Sequence, residues 1–467
     1  MKKHKLNKYF KATGMYTVGS VFNKAISLLL LPIFTRLLST SSYGIVSTYT
    51  SWVNVVTIIV GAQLNLTIRP AMTDYKKDIN KYIFSINLLS FFIFIFLLIV
   101  LSIITKIFFS DIILILTIFG LIQSFFTSII NVELQKQMMQ LEYMKRTLLL
   151  ALPNLIAALL GIIYIVLIPS IDYMGRIITM VAVYIIIGGY YFAKYFKIGK
   201  IKKISSYWKY AIAFSGPLIF HGIASVLLNN IDRTMITMFN NTSETGLYSV
   251  AYTMGMALIA VTSAMESVWI PWFTKKIESN QIKKINDVGK IYVIIGSLVC
   301  IILMLLMPEV LKIFADKEYW DAIYILPPIM LSSYMVFLFT ISANIEYYYK
   351  STKFVALNTI IATIINIILN VFFIPKFGAL AAAYTTLISY LISFVLHFKY
   401  ANNLNKSMLP FKTYIKPITA VSISTIFTYL FINNIILRWG ISIVIIIILL
   451  VVLKMRKDFF VNILKEE

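Results

Sequence analysis

The chain has 467 residues, 60% of them hydrophobic and only 13% charged, with a formal net charge of +23. A soluble domain carries about 25% charged residues, so the composition excludes an ordinary soluble fold and indicates a membrane protein. The positive balance does not imply nucleic acid. Lys and Arg sit in the short segments between apolar runs, where they act as orientation signals and contacts to anionic lipid.

Lys2, Lys3, Lys5, Lys8 and Lys11 precede the first apolar run. That run, Met15 to Leu38, is too long for a signal-peptide core and has no small-residue cleavage site, so it reads as a retained first span. The predicted spans, in order, are 14–37, 43–66, 83–105, 111–132, 148–168, 176–196, 210–231, 246–272, 288–307, 325–347, 354–374, 378–400, 413–433 and 438–454. Each is long enough to cross a hydrocarbon core of about 30 Å. Continuous apolar runs of this length satisfy their backbone as helices. The expected fold class is therefore an all-α integral membrane protein of about fourteen transmembrane helices. The connections are too short to hold a soluble domain, so function must lie between helices.

Polar residues inside these spans are the candidate site residues. In the first span Lys24 follows Asn23. A charge at the bilayer centre costs at least about 2.5–3.5 kcal/mol. Lys24 either faces a wet cavity that attracts an anionic headgroup, or snorkels to the interface. Gln63 and Asn65 lie near the end of the second span. His221, after Pro217 in the seventh, is a packing residue or a proton carrier. Asp232 and Arg233 close that span, as a cavity-lining pair that binds or gates, or as an interfacial ion pair. Glu266 in the eighth span is a candidate for proton coupling, because burial raises a carboxyl pKa; the alternative is that it caps the inner end of the helix and pairs with Lys275 or Lys276. The single cysteine, Cys300, reads as packing. Asn344 and Glu346 read as interfacial. Asn358, Asn366 and Asn370 in the eleventh span share a helix face, suited to sugar hydroxyls in a cavity or to helix–helix hydrogen bonds. Tyr347, Tyr348 and Tyr349 read as interfacial aromatics.

Counting Lys and Arg fixes an expected topology. Alternate connections, beginning with the N-terminus, hold 33 of the 42; the intervening ones hold 8, and Lys24 is the remainder. The positive-inside rule puts both termini in the cytoplasm.

An internal repeat is visible. Thr40, Ser41, Gly44 and Ser47 match Thr242, Ser243, Gly246 and Ser249 at an offset of 202, and Ile168-Pro169 matches Ile374-Pro375 at 206. Two parallel six-helix repeats follow, with the Lys-rich stretch 197–209 between them. The expected division is 1–205, 206–402 and an appendage of two helices, 403–467. Transporters built from such repeats bind substrate between the halves. The sequence has no G-x-x-x-x-G-K-[ST], H-E-x-x-H or C-x-x-C motif, so no cofactor, metal or catalytic residue is assigned.

Three stretches resemble a known family. They are Leu30-Leu31-Pro32-Ile33-Phe34-Thr35-Arg36 with Tyr43-Gly44; Asn230-Ile231-Asp232-Arg233 with Gly246-Leu247-Tyr248-Ser249; and Asn366 and Asn370 through Ile374-Pro375-Lys376-Phe377-Gly378-Ala379. Together the chain resembles the polysaccharide (O-antigen) repeat-unit flippases of the multidrug/oligosaccharidyl-lipid/polysaccharide (MOP) exporter superfamily. The resemblance implies a V-shaped, MATE-like bundle in the bacterial cytoplasmic membrane. It implies a substrate that is an undecaprenyl-diphosphate-linked oligosaccharide, moved to the outer leaflet for O-antigen or capsule assembly, beside the pathway's polymerase and glycosyltransferases. It makes Pro32, Arg36, Gly44, Gly246, Pro375 and Gly378 structural motif residues. Lys24, Asn23, Asp232, Arg233, Asn358, Asn366 and Asn370 are then the expected substrate contacts. Glu266, His221 and Asp232 are the expected coupling or gating groups, driven by a proton or sodium gradient. The alternatives are a drug or metabolite antiporter of the same fold and a membrane-embedded glycan polymerase or ligase.

Overall fold

The computed structural model describes residues 26–197 and 204–455. Its helices are α1 (Ile26–Leu37), α2 (Thr40–Gly61), the short α3 (Ile68–Asp74), α4 (Ile79–Phe108), α5 (Asp111–Met139), α6 (Tyr143–Leu167), α7 (Asp172–Phe196), α8 (Ile204–Phe239), α9 (Thr242–Glu278), α10 (Ile282–Phe314), α11 (Leu326–Tyr348), α12 (Thr352–Leu404), α13 (Lys412–Leu430) and α14 (Ile435–Met455). Among the described residues, ten helices are long and apolar enough to span a membrane. One of these is α12, whose 53 residues would reach about 80 Å at 1.5 Å per residue, more than twice a hydrocarbon core. Gly378 breaks it with φ 60° and ψ −143°, so α12 is the two spans expected from sequence. With α3 set aside as too short, the elements match the fourteen expected spans. By packing, the chain forms two compact units: residues 1–249 with 363–378, and residues 250–362 with 379–467.

In the first unit the repeat motif is a contact between its own two copies. Thr40 Oγ1 lies 2.6 Å from Ser243 Oγ, and Ser41 Oγ lies 2.6 Å from Thr242 Oγ1. Under the 202-residue offset Thr40 corresponds to Thr242 and Ser41 to Ser243, so each bond is the other's symmetry mate. The glycines obey the same rule. A Cβ on Gly44 would sit 1.8 Å from the Thr242 carbonyl oxygen, and one on Gly246 would sit 2.1 Å from that of Thr40. This reciprocity is the signature of an isologous, two-fold interface, here within one chain. Only glycine lets these two helix N-termini approach so closely.

The second motif pair behaves alike. In the first repeat the Ser42 hydroxyl donates to the Asp172 carboxylate at the start of α7. In the second, Glu244, the counterpart of Ser42, lies against Gly378, the counterpart of Asp172; a Cβ there would meet Glu244 Oε2 at 1.9 Å. The acid has changed sides, but the junction is the same. The family resemblance makes Gly378 a structural motif residue. Its left-handed φ gives it a further task, because a side chain in that region strains the backbone.

In the second unit, Arg438 is buried at 1% exposure. It makes a two-pronged contact with Glu309 and donates to the carbonyls of Leu305 (2.8 Å), Phe431 (3.0 Å) and Ile432 (2.9 Å). Trp439 Nε1 adds a 3.0 Å bond to Glu309. The start of α14 is thereby fastened to α10. Removing one partner of a buried pair costs about 3–5 kcal/mol, whereas replacing both with apolar groups can be neutral. Arg438→Met is therefore expected to lower the thermal unfolding midpoint in detergent sharply, and adding Glu309→Leu is expected to recover most of the loss.

Candidate functional site

The site grows out of the way α2 ends. Ala62 (φ 43°) and Gln63 (φ 51°) are consecutive non-glycine residues in the left-handed region, a conformation that costs of order 1–3 kcal/mol per residue and clusters at functional sites. They turn the chain into a 3-10 segment, Leu64–Thr67, and swing Gln63 toward α8. There Gly222 makes room: a Cβ on it would meet Gln63 Nε2 at 1.9 Å. Farther along, Asn54 Nδ2 donates to Asn230 Oδ1 at 3.2 Å, and Thr48 Oγ1 lies 2.7 Å from Thr237 Oγ1. The pairs 48–237, 54–230 and 63–222 show α2 and α8 running antiparallel along a polar seam.

Between this seam and α5 lies a cleft of about 490 Å³, lined by Asn54, Thr57, Gln63, Asn65, Asn131 and Asn230 with Ile58, Gly61, Thr127, Ser128 and Val226. That volume is in the usual range for small-molecule sites, about 300–1,000 Å³. No lining residue is ionisable. Five are carboxamides, and the side chains of Gln63, Asn65 and Asn131 have no hydrogen-bond partner among the described residues. Each such amide offers two donors and an acceptor. The cleft is thus neutral, polar and matched to hydroxyl- or acetamido-bearing ligands.

The sequence-predicted residues fall elsewhere. Asn23 and Lys24 lie outside the described residues. Asp232, Asn366 and Asn370 do come together, but as a closed clasp. Tyr248 donates to Asp232 Oδ2 at 2.5 Å, Asn370 Nδ2 donates to Asp232 Oδ1 at 2.7 Å, and Asn370 Nδ2 also reaches Asn366 Oδ1 at 3.1 Å. Their exposures are 1%, 0% and 0%, so the clasp ties α8, α9 and the first half of α12 together. Arg233 is half-buried, donates to the Asn229 carbonyl at 3.1 Å and faces the Tyr248 ring. Asn358 belongs to the second unit, where it donates to the Ser393 carbonyl at 3.1 Å. His221 is half-buried on α8, and its Nδ1 has no hydrogen-bond partner among the described residues. Glu266 is half-buried and lies 3.5 Å from Asn344 Nδ2. Arg36 donates back to the Pro32 carbonyl at 3.0 Å.

Sequence reading missed Asn54 and Asn131, and gave little weight to Gln63 and Asn65. The signal existed: Asn54, Thr57 and Gly61 fall on one face of α2, as Thr127 and Asn131 do on α5. It also missed two buried acids. Glu133 accepts from Tyr195 and Gln137 beside Lys136 and Lys194. Glu346, read as interfacial, is wholly buried against His397.

The fold is that of a many-helix membrane protein with a polar cleft, and solved structures share it. The chain is similar over 95% of its length, and 99% of the other, to the lipid II flippase MurJ in an inward closed conformation, with a TM-score of 0.71 at 15% identity. It is similar to an inward-facing MATE multidrug resistance transporter of the MOP superfamily, with a TM-score of 0.60 at 11% identity over 85% and 95% of the two chains. In sequence it is 22% identical over 376 residues to protein 1 of the Lsg locus of Haemophilus influenzae (strain ATCC 51907 / DSM 11121 / KW20 / Rd), covering 77% of this chain and 90% of that one. The family model described as polysaccharide biosynthesis protein matches residues 10–277, more than half of the chain, and the chain belongs to that family. The family and the MOP fold expected from the three motif stretches are borne out.

Proposed function

We propose that this chain is a flippase. It carries an undecaprenyl-diphosphate-linked oligosaccharide repeat unit from the inner to the outer leaflet of the bacterial cytoplasmic membrane, for O-antigen or capsule assembly. The observation that carries the reading is the neutral cleft with three unpartnered carboxamides. A sugar head cannot cross hydrocarbon, because each unsatisfied hydroxyl there costs several kcal/mol. A cleft that supplies amides in place of water removes that cost. The polyprenyl tail stays in lipid throughout.

The orientation follows the Lys and Arg count, with both termini cytoplasmic. The reciprocal Thr40–Ser243 and Ser41–Thr242 bonds then close the outer end, and the cleft lies toward the inner half, ready to load. In the alternating-access cycle the lobes 1–205 and 206–402 exchange the open side, and helices of 403–467 brace the second lobe. The cleft has no charge, so the diphosphate needs another partner, and Lys24 is the group the sequence offers. Fold likeness to a lipid II flippase and membership in a polysaccharide biosynthesis family support this reading over the antiporter and enzyme alternatives.

Deleting the gene tests it. Lipid-linked repeat units are expected to accumulate at the inner leaflet while surface glycan is lost, and the intact chain restores both. Drug sensitivity with normal glycan would replace this reading with an antiporter. Glycan chemistry by the purified protein in detergent would replace it with an enzyme.

A further inference from the structure

We infer that Arg176 is the centre of an anion site inside the first unit, built to hold a phosphate group between α1, α6 and α7. Arg176 stands on α7, four residues after that helix begins at Asp172, and is half-buried. Its guanidinium turns into the unit. The guanidinium carbon lies 4.6 Å from the centre of the Phe34 ring on α1. On α6, Gly161 leaves the side chain its room: a Cβ there would meet Arg176 Cδ at 3.1 Å and Nη1 at 3.4 Å.

A partner for this charge is what the protein does not supply. A guanidinium carries five N–H donors and stays charged at any physiological pH. This one donates no hydrogen bond among the described residues, and its Nη1 is buried without an acceptor. Asp172 sits four residues earlier, the spacing at which an acid ordinarily pairs with an arginine on the same helix. Its carboxylate is engaged elsewhere, accepting from the Ser42 hydroxyl and from the Tyr173 amide. The stretches of this unit outside the described residues, 1–25 and 198–203, contain no Asp or Glu. The Phe34 ring face offsets part of the charge but leaves the N–H fork unfilled. A buried charge is paired and hydrogen-bonded in a native protein because the unpaired state is so costly.

The shape of the fork names the chemistry. Its parallel N–H groups match two oxygens of one phosphate. The depth agrees: four residues at 1.5 Å each put Arg176 about 6 Å from the start of α7, close to the layer where lipid headgroups lie. Two sources can supply the group, a phospholipid headgroup entering from the bilayer and inorganic phosphate entering from water. The amide cleft has no ionisable lining residue, so this is a separate site, and the inference stands apart from the flippase reading.

Thermal unfolding of the full chain, delipidated in neutral detergent, provides the test. One arm adds inorganic phosphate, with sodium chloride at equal ionic strength as its control. The other adds phosphatidylglycerol, with diacylglycerol, which has the chains and no phosphate, as its control. At least one arm is expected to raise the unfolding midpoint of the native chain by about 2–4 °C over its control, and the arm that does so identifies the source. The chain carries a net charge of +23, so anions also gather at its surface. The part that belongs to this site is the part lost in Arg176→Met. If that variant does not fold, Arg176→Lys keeps the charge without the fork and is expected to lose at least half of the shift. No shift in either arm, or a shift of native size in the variant, overturns the proposal. No glycan is present, so the result does not depend on what the chain transports.

Discussion

Replacing Asn54 and Asn230 together with leucine is expected to lower surface glycan at least about tenfold while the protein still inserts. The two residues meet across the α2–α8 seam at 3.2 Å and form one wall of the cleft. A carboxamide that bonds a ligand hydroxyl, once replaced by an alkyl group, leaves that hydroxyl desolvated and unpaired, at about 1–3 kcal/mol for each. Leucine also fills volume the head must occupy. Asn54 is exposed and Asn230 half-buried, neither in the packed core, so the loss is expected in transport and not in folding. Membrane levels by immunoblot and lipid-linked repeat units by mass spectrometry separate the two. A variant with wild-type glycan would remove the cleft from the transport path.

The second large effect concerns the closed end of the first unit. Ser41→Cys combined with Thr242→Cys is expected to arrest export when oxidised and to release it when reduced. The native hydroxyl oxygens are 2.6 Å apart, which brings the two side chains within reach of a disulfide. The one natural cysteine, Cys300, is buried and will not compete. If the seam must part once per cycle, a covalent bond across it stops the cycle completely, whereas either cysteine alone leaves it running. Export that continues through the oxidised double variant would show that the Thr40–Thr242 junction stays shut during transport.

Much of this was legible in the chain itself. Fourteen spans follow from apolar run length, because a membrane leaves the backbone few choices. The repeat was readable because a close helix approach demands glycine at one place, and Gly44 and Gly246 answer to the same backbone oxygen in each other's copy. The break at Gly378 was readable as a span boundary, though its positive φ was not. The site was harder. Asp232, Asn366 and Asn370 stand out as polar residues in apolar helices, yet burial at 1% or less makes them a clasp. A buried amide that holds helices together and one that lines a cleft have the same sequence signature. What separates them is whether the opposite helix supplies a partner, and that depends on packing between distant segments. Gln63 is the clearest instance: its reach over Gly222 depends on two left-handed residues at the end of α2, which nothing in Gly61-Ala62-Gln63 announces. Glu346 and His397 are 51 residues apart and acquire meaning only once α11 and α12 meet.

The most direct test of the amide cleft places a photo-crosslinking amino acid at position 131, which lines the cleft from α5, in cells making glycan. Irradiation is expected to trap lipid-linked oligosaccharide on the protein, detectable by a sugar-specific lectin after purification. Adducts of membrane phospholipid alone, with no sugar attached, would contradict the account.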